Sequence, residues 1–148
     1  MPPDPSSVYA DDPTIGDDEI LYRMVSIGNT KYENGTAVRG ATNAFQDYPP
    51  DRLHETGSPA VAVSVYLDSE LRAEGLSVVD LVERWGRGYG VVSIRASDAR
   101  AEGQGIMRRP TNADPEHAVI FCLSGPKKSG GQSKRLAKAS KVIIPPTT

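Results

Sequence analysis

A chain of 148 residues, 38% hydrophobic and 24% charged, fits one soluble domain with a core of its own. Aromatics at 6% leave that core to Val, Ile, Leu and Ala, and fourteen Gly with twelve Pro imply long connections. A single cysteine excludes an intrachain disulfide, and no apolar stretch approaches the roughly 18 residues of a membrane span, so no membrane contact is expected.

The net charge of -2 hides an asymmetry between the two ends. Residues 1–19 hold Asp4, Asp11, Asp12, Asp17, Asp18 and Glu19 with no Lys or Arg. This Pro-rich, acidic lead has neither the basic start nor the apolar centre of a signal peptide, and a cytoplasmic location is expected. Residues 1–18 are expected to be disordered, acting as a solubilising tail or as a mask over the basic far end.

Strand one is expected at 19–27, "EILYRMVSI". Residues 28–59 are rich in turn formers, with Asn34-Gly35 as a hairpin signal and "NAFQD" as a short strand. "AVAVSVYL" (60–67) is a continuous β-branched run, the pattern of a strand buried on both faces. "SVVDLVERWG" (77–86) is the best helix, with Val78, Leu81, Val82 and Trp85 on one face and a Ser77–Asp80 capping arrangement. A strand at 89–96, a helical turn at 97–103 and a short strand at 104–109 follow. After the loop 110–117 come a buried strand at 118–124, a helix at 131–140 and a terminal strand at 141–146. The expected fold is α+β over residues 19–146: a single mixed sheet of four to five strands with two to three helices. Val63, Val65, Leu81, Trp85, Val92, Ile94, Val119, Ile120 and Phe121 are the expected core.

"LSGPKKSGGQSKRLAKA" has the order of a phosphate-binding loop, an apolar run followed by a Gly- and Lys-rich turn and a helix. Gly125 and Gly130 keep the spacing of G-x-x-x-x-G-K-[ST], but Gly131 and Gln132 stand where Lys and Ser/Thr are required. What survives is a basic loop and helix, with Lys127, Lys128, Lys134 and Arg135 positioned to meet a phosphate or a nucleic-acid backbone, or else to face solvent. Cys122, inside "AVIFCL", reads as a small core residue. With His54 and His117 the only histidines, no zinc-ligand spacing exists, and no cofactor is expected. There is no G-x-S-x-G elbow.

The second constellation is "RRPTNADPEHAVIF". Arg108 and Arg109 end a strand, a tight loop follows, and Glu116-His117 open the next strand. His117 carries the side chain best suited to proton movement near neutral pH. Either it contacts a ligand in a cleft with Arg23, Arg108 and Glu116, or it locks the loop backbone.

"LYRMV", "RGATNAFQD", "VSVYL", "NADPEHAVI" and "KRLAKAS" together resemble a set of small uncharacterised bacterial proteins. Those share an opening "LYR" strand and a late Asn-Pro-x-His-Ala-x-Ile segment. The resemblance covers most of 19–144 and departs at "NADPEHA", which holds an extra Ala-Asp. It implies a bacterial cytoplasmic domain with Arg23, Phe45, Pro115, His117 and Ala118 as a shared frame, and no reaction.

Two function classes follow. One is a non-catalytic binding or accessory module that docks on a protein partner, encoded nearby, or on a phosphate-bearing ligand through the basic C-terminal loop and helix. The other is a small nucleotide-using enzyme of the ADP-ribosyltransferase type, with Arg23, Thr42, Asn43 and Glu116 around a dinucleotide.

Overall fold

The computed structural model describes residues 10–46, 62–124 and 128–147. Eight strands run in chain order: β1 (Ile20–Val25), β2 (Thr30–Glu33), β3 (Thr36–Gly40), β4 (Ala62–Leu67), β5 (Gly90–Arg95), β6 (Gln104–Arg108), β7 (His117–Cys122) and β8 (Lys141–Ile144). Four helices accompany them: α1 (Asp68–Ala73), α2 (Val78–Trp85), α3 (Ala96–Ala101) and α4 (Gly130–Ala139). Six strands form one sheet in the order β6-β7-β4-β1-β5-β8, and β2 and β3 pair separately. The fold is α+β, as expected, but the sheet is larger than four to five strands and the helices outnumber the expected two to three. Every pairing in it is antiparallel rather than mixed.

Alternation along the strands builds two apolar layers. Leu21 and Val25, Val63, Val65 and Leu67, Val92 and Ile94, Ile106, and Ala118 and Ile120 face one way. They pack under Ala96 and Ala99 of α3, Leu136 and Ala137 of α4, and Phe45. Met24, Tyr66 and Val91 face the other way, against Leu71 of α1 and Leu81 of α2. The sheet is therefore sandwiched, which is why its central strands read as continuous apolar runs. Eight of the nine expected core residues are buried. Trp85 is the exception at 38% exposed, at the end of α2 with its indole against Tyr66 and Tyr89.

α2 keeps its expected bounds and its cap, the Asp80 carboxylate accepting from the Ser77 amide (2.8 Å) and hydroxyl (3.2 Å). Two elements depart from expectation, while the Asn34-Gly35 hairpin signal holds. "NAFQD" makes a 3-10 turn at Thr42–Phe45 rather than a strand. The Asn34-Gly35 turn joins β2 to β3, with φ of 53° and 78° at its two central residues, as a tight hairpin turn requires. α1 follows β4 without a connecting loop, and its single buried residue, Leu71, leaves no periodic stripe in the sequence.

Residues 10–18 are not a free tail. Ile15 is 1% exposed and joins the first core layer. Asp12 N donates to Ile106 O (2.8 Å) and the Asp11 carboxylate accepts from Ile106 N (2.9 Å), so this segment lies along the open edge of β6. Arg100 pairs with Asp11 (3.4 Å) and Asp17 (2.7 Å), and Arg108 with Asp12 (3.3 Å). These acids are held by Arg100 and Arg108 rather than by the lysines of α4. Residues 1–9 lie outside the described residues.

Candidate functional site

β4 and β7 lie side by side with Tyr66 opposite His117. β4 turns straight into α1, β7 starts at His117, and β6 finishes at Arg108, so all three bring polar side chains to one end of the sheet. The loop before β7 is closed by its own hydrogen bonds. Asp114 N donates to Thr111 Oγ1 (2.9 Å), and the Asp114 carbonyl accepts from the amides of Thr111 and His117 (3.1 Å each).

His117 is half-buried. Its Nδ1 lies 2.8 Å from the Arg109 carbonyl, which only accepts, so Nδ1 carries a proton. No hydrogen bond reaches Nε2 among the described residues. The ring meets the Tyr66 ring edge-on at 5.7 Å. Tyr66 in turn stands against Trp85 at 6.3 Å and accepts a 2.8 Å hydrogen bond from its indole N–H. Burial, with the charges of Asp114 and Glu116 beyond it, pushes the Tyr66 hydroxyl up to about 12. It therefore stays protonated and senses the carboxylates beyond it.

Glu116 is fully buried, an uncommon place for a carboxylate. Its Oε1 accepts from Arg84 of α2, which also holds Asp114 at 2.5 Å. Its Oε2 has no hydrogen-bond partner among the described residues. Glu74 is the exposed C-cap of α1. Hydrogen bonding to Glu116 pushes the Glu74 carboxyl above the usual range. Burial pushes Glu116 up, but the hydrogen bonds from Arg84 and Glu74 outweigh it and hold Glu116 below the usual range. The interaction therefore favours the proton on Glu74 and the charge on Glu116. One turn back on α1, Glu70 pairs with Arg108 at 2.7 Å. Five carboxylates (Asp12, Glu70, Glu74, Asp114, Glu116) here meet two guanidiniums, Arg84 and Arg108.

The expected cleft of Arg23, Arg108, Glu116 and His117 is therefore divided. Glu116, His117 and Arg108 share the sheet end, although Arg108 serves Glu70 and Asp12. Arg23 lies between Leu21 and Val25 on the opposite face, 8% exposed. It donates to Ala44 O (2.9 Å) and Ser64 O (3.1 Å), stitching the 42–45 turn to β4. Thr42 and Asn43 sit in the turn that Arg23 holds, and Asn43 donates to Gly28 O (3.1 Å), so the set expected around a dinucleotide does not converge with Glu116. Of the basic set, Lys127 lies outside the described residues. Lys128 is buried at 6% exposed, and Arg135 is paired with Glu102. Lys134, with Lys138 and Lys141, faces solvent. α4 is capped by Ser129 Oγ, which accepts from Gln132 N at 3.1 Å.

Glu74, Arg84, Asp114 and Tyr66 were not singled out by the sequence. Glu70 and Glu74, four apart after a buried strand, were the one available signal. A groove of about 550 Å³ lies elsewhere, between the β2–β3 hairpin and β8, lined by Tyr32, Lys141 and otherwise uncharged residues. Among the described residues, no group of three His, Cys, Asp or Glu is placed to hold a metal ion, and no helix is long and apolar enough to cross a membrane. Comparison with protein-family models, with curated proteins and with solved structures gives no match to this chain.

Proposed function

We propose that the protein is a non-catalytic binding module of the bacterial cytoplasm whose recognition surface is the sheet end formed by Glu74, Arg84, Trp85, Asp114, Glu116 and His117. One observation carries this reading: the fully buried Glu116 carboxylate keeps an oxygen that no described residue hydrogen-bonds. An unsatisfied buried acceptor costs about 1–3 kcal/mol, which an occupant that donates to it would recover. The half-exposed Trp85 and the open Nε2 of His117 offer apolar and polar contact at the same sheet end.

The basic C-terminal helix is the weaker surface. With Lys128 buried and Arg135 paired to Glu102, a polyanion meets Lys134, Lys138 and Lys141 on a face without a bidentate clamp.

Trp85 is the only tryptophan, so its emission and the melting temperature together report occupancy. A panel of amines, amino-acid amides, nucleotides, sugar phosphates and short oligonucleotides is expected to contain a class that shifts both. That response should be lost in His117→Ala and kept when Lys134, Lys138 and Lys141 are changed to Gln. A response abolished by the lysine changes and indifferent to His117→Ala returns recognition to the helix.

A further inference from the structure

The two outer edges of the main sheet are finished differently. Residues 10–18 cover β6, with Asp11 and Asp12 bonded to the Ile106 backbone. β8 stands at the other end of the strand order, and its outer edge pairs with no strand among the described residues. β3 has an edge of the same kind, since it pairs with β2 alone. The two strands meet where Gly40 N donates to Ser140 Oγ (2.9 Å). Beyond that junction the groove of about 550 Å³ opens between them, walled by residues 36–38 of β3 and 141–143 of β8. Successive side chains of a strand point to opposite faces, so a groove lined by three consecutive residues on each side meets both strands at their backbone edges. Such edges accept another strand through main-chain hydrogen bonds.

We infer that the groove takes up one short extended strand of a partner protein, which pairs with β8 on one side and β3 on the other and carries acidic residues at the Gly40–Ser140 end. This surface is separate from the sheet end and does not rest on it. Lys138 and Lys141 flank Ser140, Arg39 precedes Gly40, and Lys31 stands opposite Arg39 in the hairpin. None of these four cations forms an ion pair among the described residues. The acid of the hairpin, Glu33, stands at the other end beside the Asn34-Gly35 turn, so the charge along the groove has a direction. Tyr32 and Ile143, 37% and 40% exposed, offer apolar contact to the side chains of the incoming strand. The four residues of β8 fix the paired length at roughly 13 Å. A second copy of this chain fits less well. Its own β3 and β8 edges face each other across the same groove, and Pro145, Pro146 and the irregularity between Val91 and Val92 stop a longer pairing.

The test reads fluorescence anisotropy of two labelled peptides on the full chain, Thr-Val-Thr-Val-Asp-Asp and Asp-Asp-Thr-Val-Thr-Val. They bring the acids to Lys141 for a strand antiparallel or parallel to β8. Saturable binding of one of them is expected, with slower amide exchange in β3 and β8. A strand held on both sides uses every amide, so N-methylation of the valines alone or of the threonines alone should each weaken binding by about tenfold. Lys141→Glu, at an exposed position, is expected to fold normally, to weaken the acidic peptide and to favour the same peptide with Lys in place of Asp. Lys134→Glu, on α4, and His117→Ala, at the sheet end, should bind as the parent does. Binding that N-methylation leaves unchanged, or that only one set of amides controls, overturns the inference. Equal loss in Lys134→Glu and Lys141→Glu overturns it in favour of nonspecific charge attraction. A dimer in sedimentation that the peptides dissociate gives the groove to a second copy and overturns it. So does silence toward both peptides, which leaves the reading of the sheet end untouched.

Discussion

His117 serves the loop-locking role that its sequence position suggested. Nδ1 is tied to the Arg109 carbonyl and the ring rests against Tyr66, so the side chain locks the loop, while Nε2 stays open. His117→Ala is expected to cost roughly 1–2 kcal/mol, from one hydrogen bond and the backbone acceptor left behind, read as a shift in urea midpoint with an unchanged slope. Glu74 and Glu116 yield a pH signature of opposite signs. The Glu74 value is raised in the fold, so its contribution is complete below the ordinary carboxylate range and is lost as pH rises through the raised value. The Glu116 value is lowered, so its contribution is present above that range and is lost as pH falls through the lowered value. Stability measured by urea unfolding across pH should therefore decline on both sides of the pair's titration, and Glu74→Gln should remove the decline on the alkaline side alone. Persistence of that decline in Glu74→Gln assigns it to another group. Glu116 and His117 were legible in the sequence as chemistry-bearing residues at a strand end. Their partners were not, since Arg84 and Glu74 lie 32 and 42 positions earlier and meet them only once both helices pack on the same face.

Among the elements, Gly90 opens β5 beside the edge strand β8. A methyl group there would run into the Ile144 carbonyl and the Pro145–Pro146 backbone, and backbone atoms give way only by displacing the strand. Gly90→Ala is expected to destabilise by about 1–3 kcal/mol and to loosen β8 first, seen as faster amide exchange at Val142 and Ile144. Equal exchange in both proteins would show that the Pro145–Pro146 turn moves freely. Trp85→Ala is expected to cost less than the 3–5 kcal/mol typical of a buried aromatic, because Trp85 is 38% exposed. Elements with strong periodicity were legible to within two residues. α2 shows an apolar stripe and β4 and β7 show unbroken β-branched runs, and both patterns are local. α1 and the strands that flank the Asn34-Gly35 turn were not legible for the opposite reason, although the turn itself was. α1 has one buried residue, and in β2 only Thr30 is buried, so long-range packing rather than local pattern selects them.

At the scale of the whole molecule, the acidic lead is part of the fold that its composition seemed to exclude. Low hydrophobicity predicts disorder when a segment must bury its own surface, but residues 10–18 need only one apolar anchor because the rest of the domain supplies the surface. Ile15 is that anchor, and Asp11, Asp12 and Asp17 hold the chain beside it through Arg100 and Arg108. The segment also covers the β6 edge, whose unpaired amide and carbonyl at Ile106 would otherwise invite pairing with another chain. The two kinds of contact differ in weight. The ion pairs are partly exposed and pay entropy to hold long side chains, so each contributes at most about 1 kcal/mol and fades with salt. A buried Ile loses about 2–5 kcal/mol on truncation to Ala. Ile15→Ala is therefore expected to destabilise the domain more than Asp17→Asn does, and to do so equally at low and high salt. Asp12 adds a pH term. Hydrogen bonds from Thr14 hold its carboxyl below the usual range, with Arg108 assisting, so its contribution is present at neutral pH and is lost as pH falls through that lowered value. Urea unfolding of the parent, Ile15→Ala and Asp17→Asn at two salt concentrations decides the matter. An Ile15→Ala midpoint equal to the parent's would show that residues 10–18 rest on the domain without stabilising it. A large, salt-independent loss makes the lead a structural strap on the β6 edge.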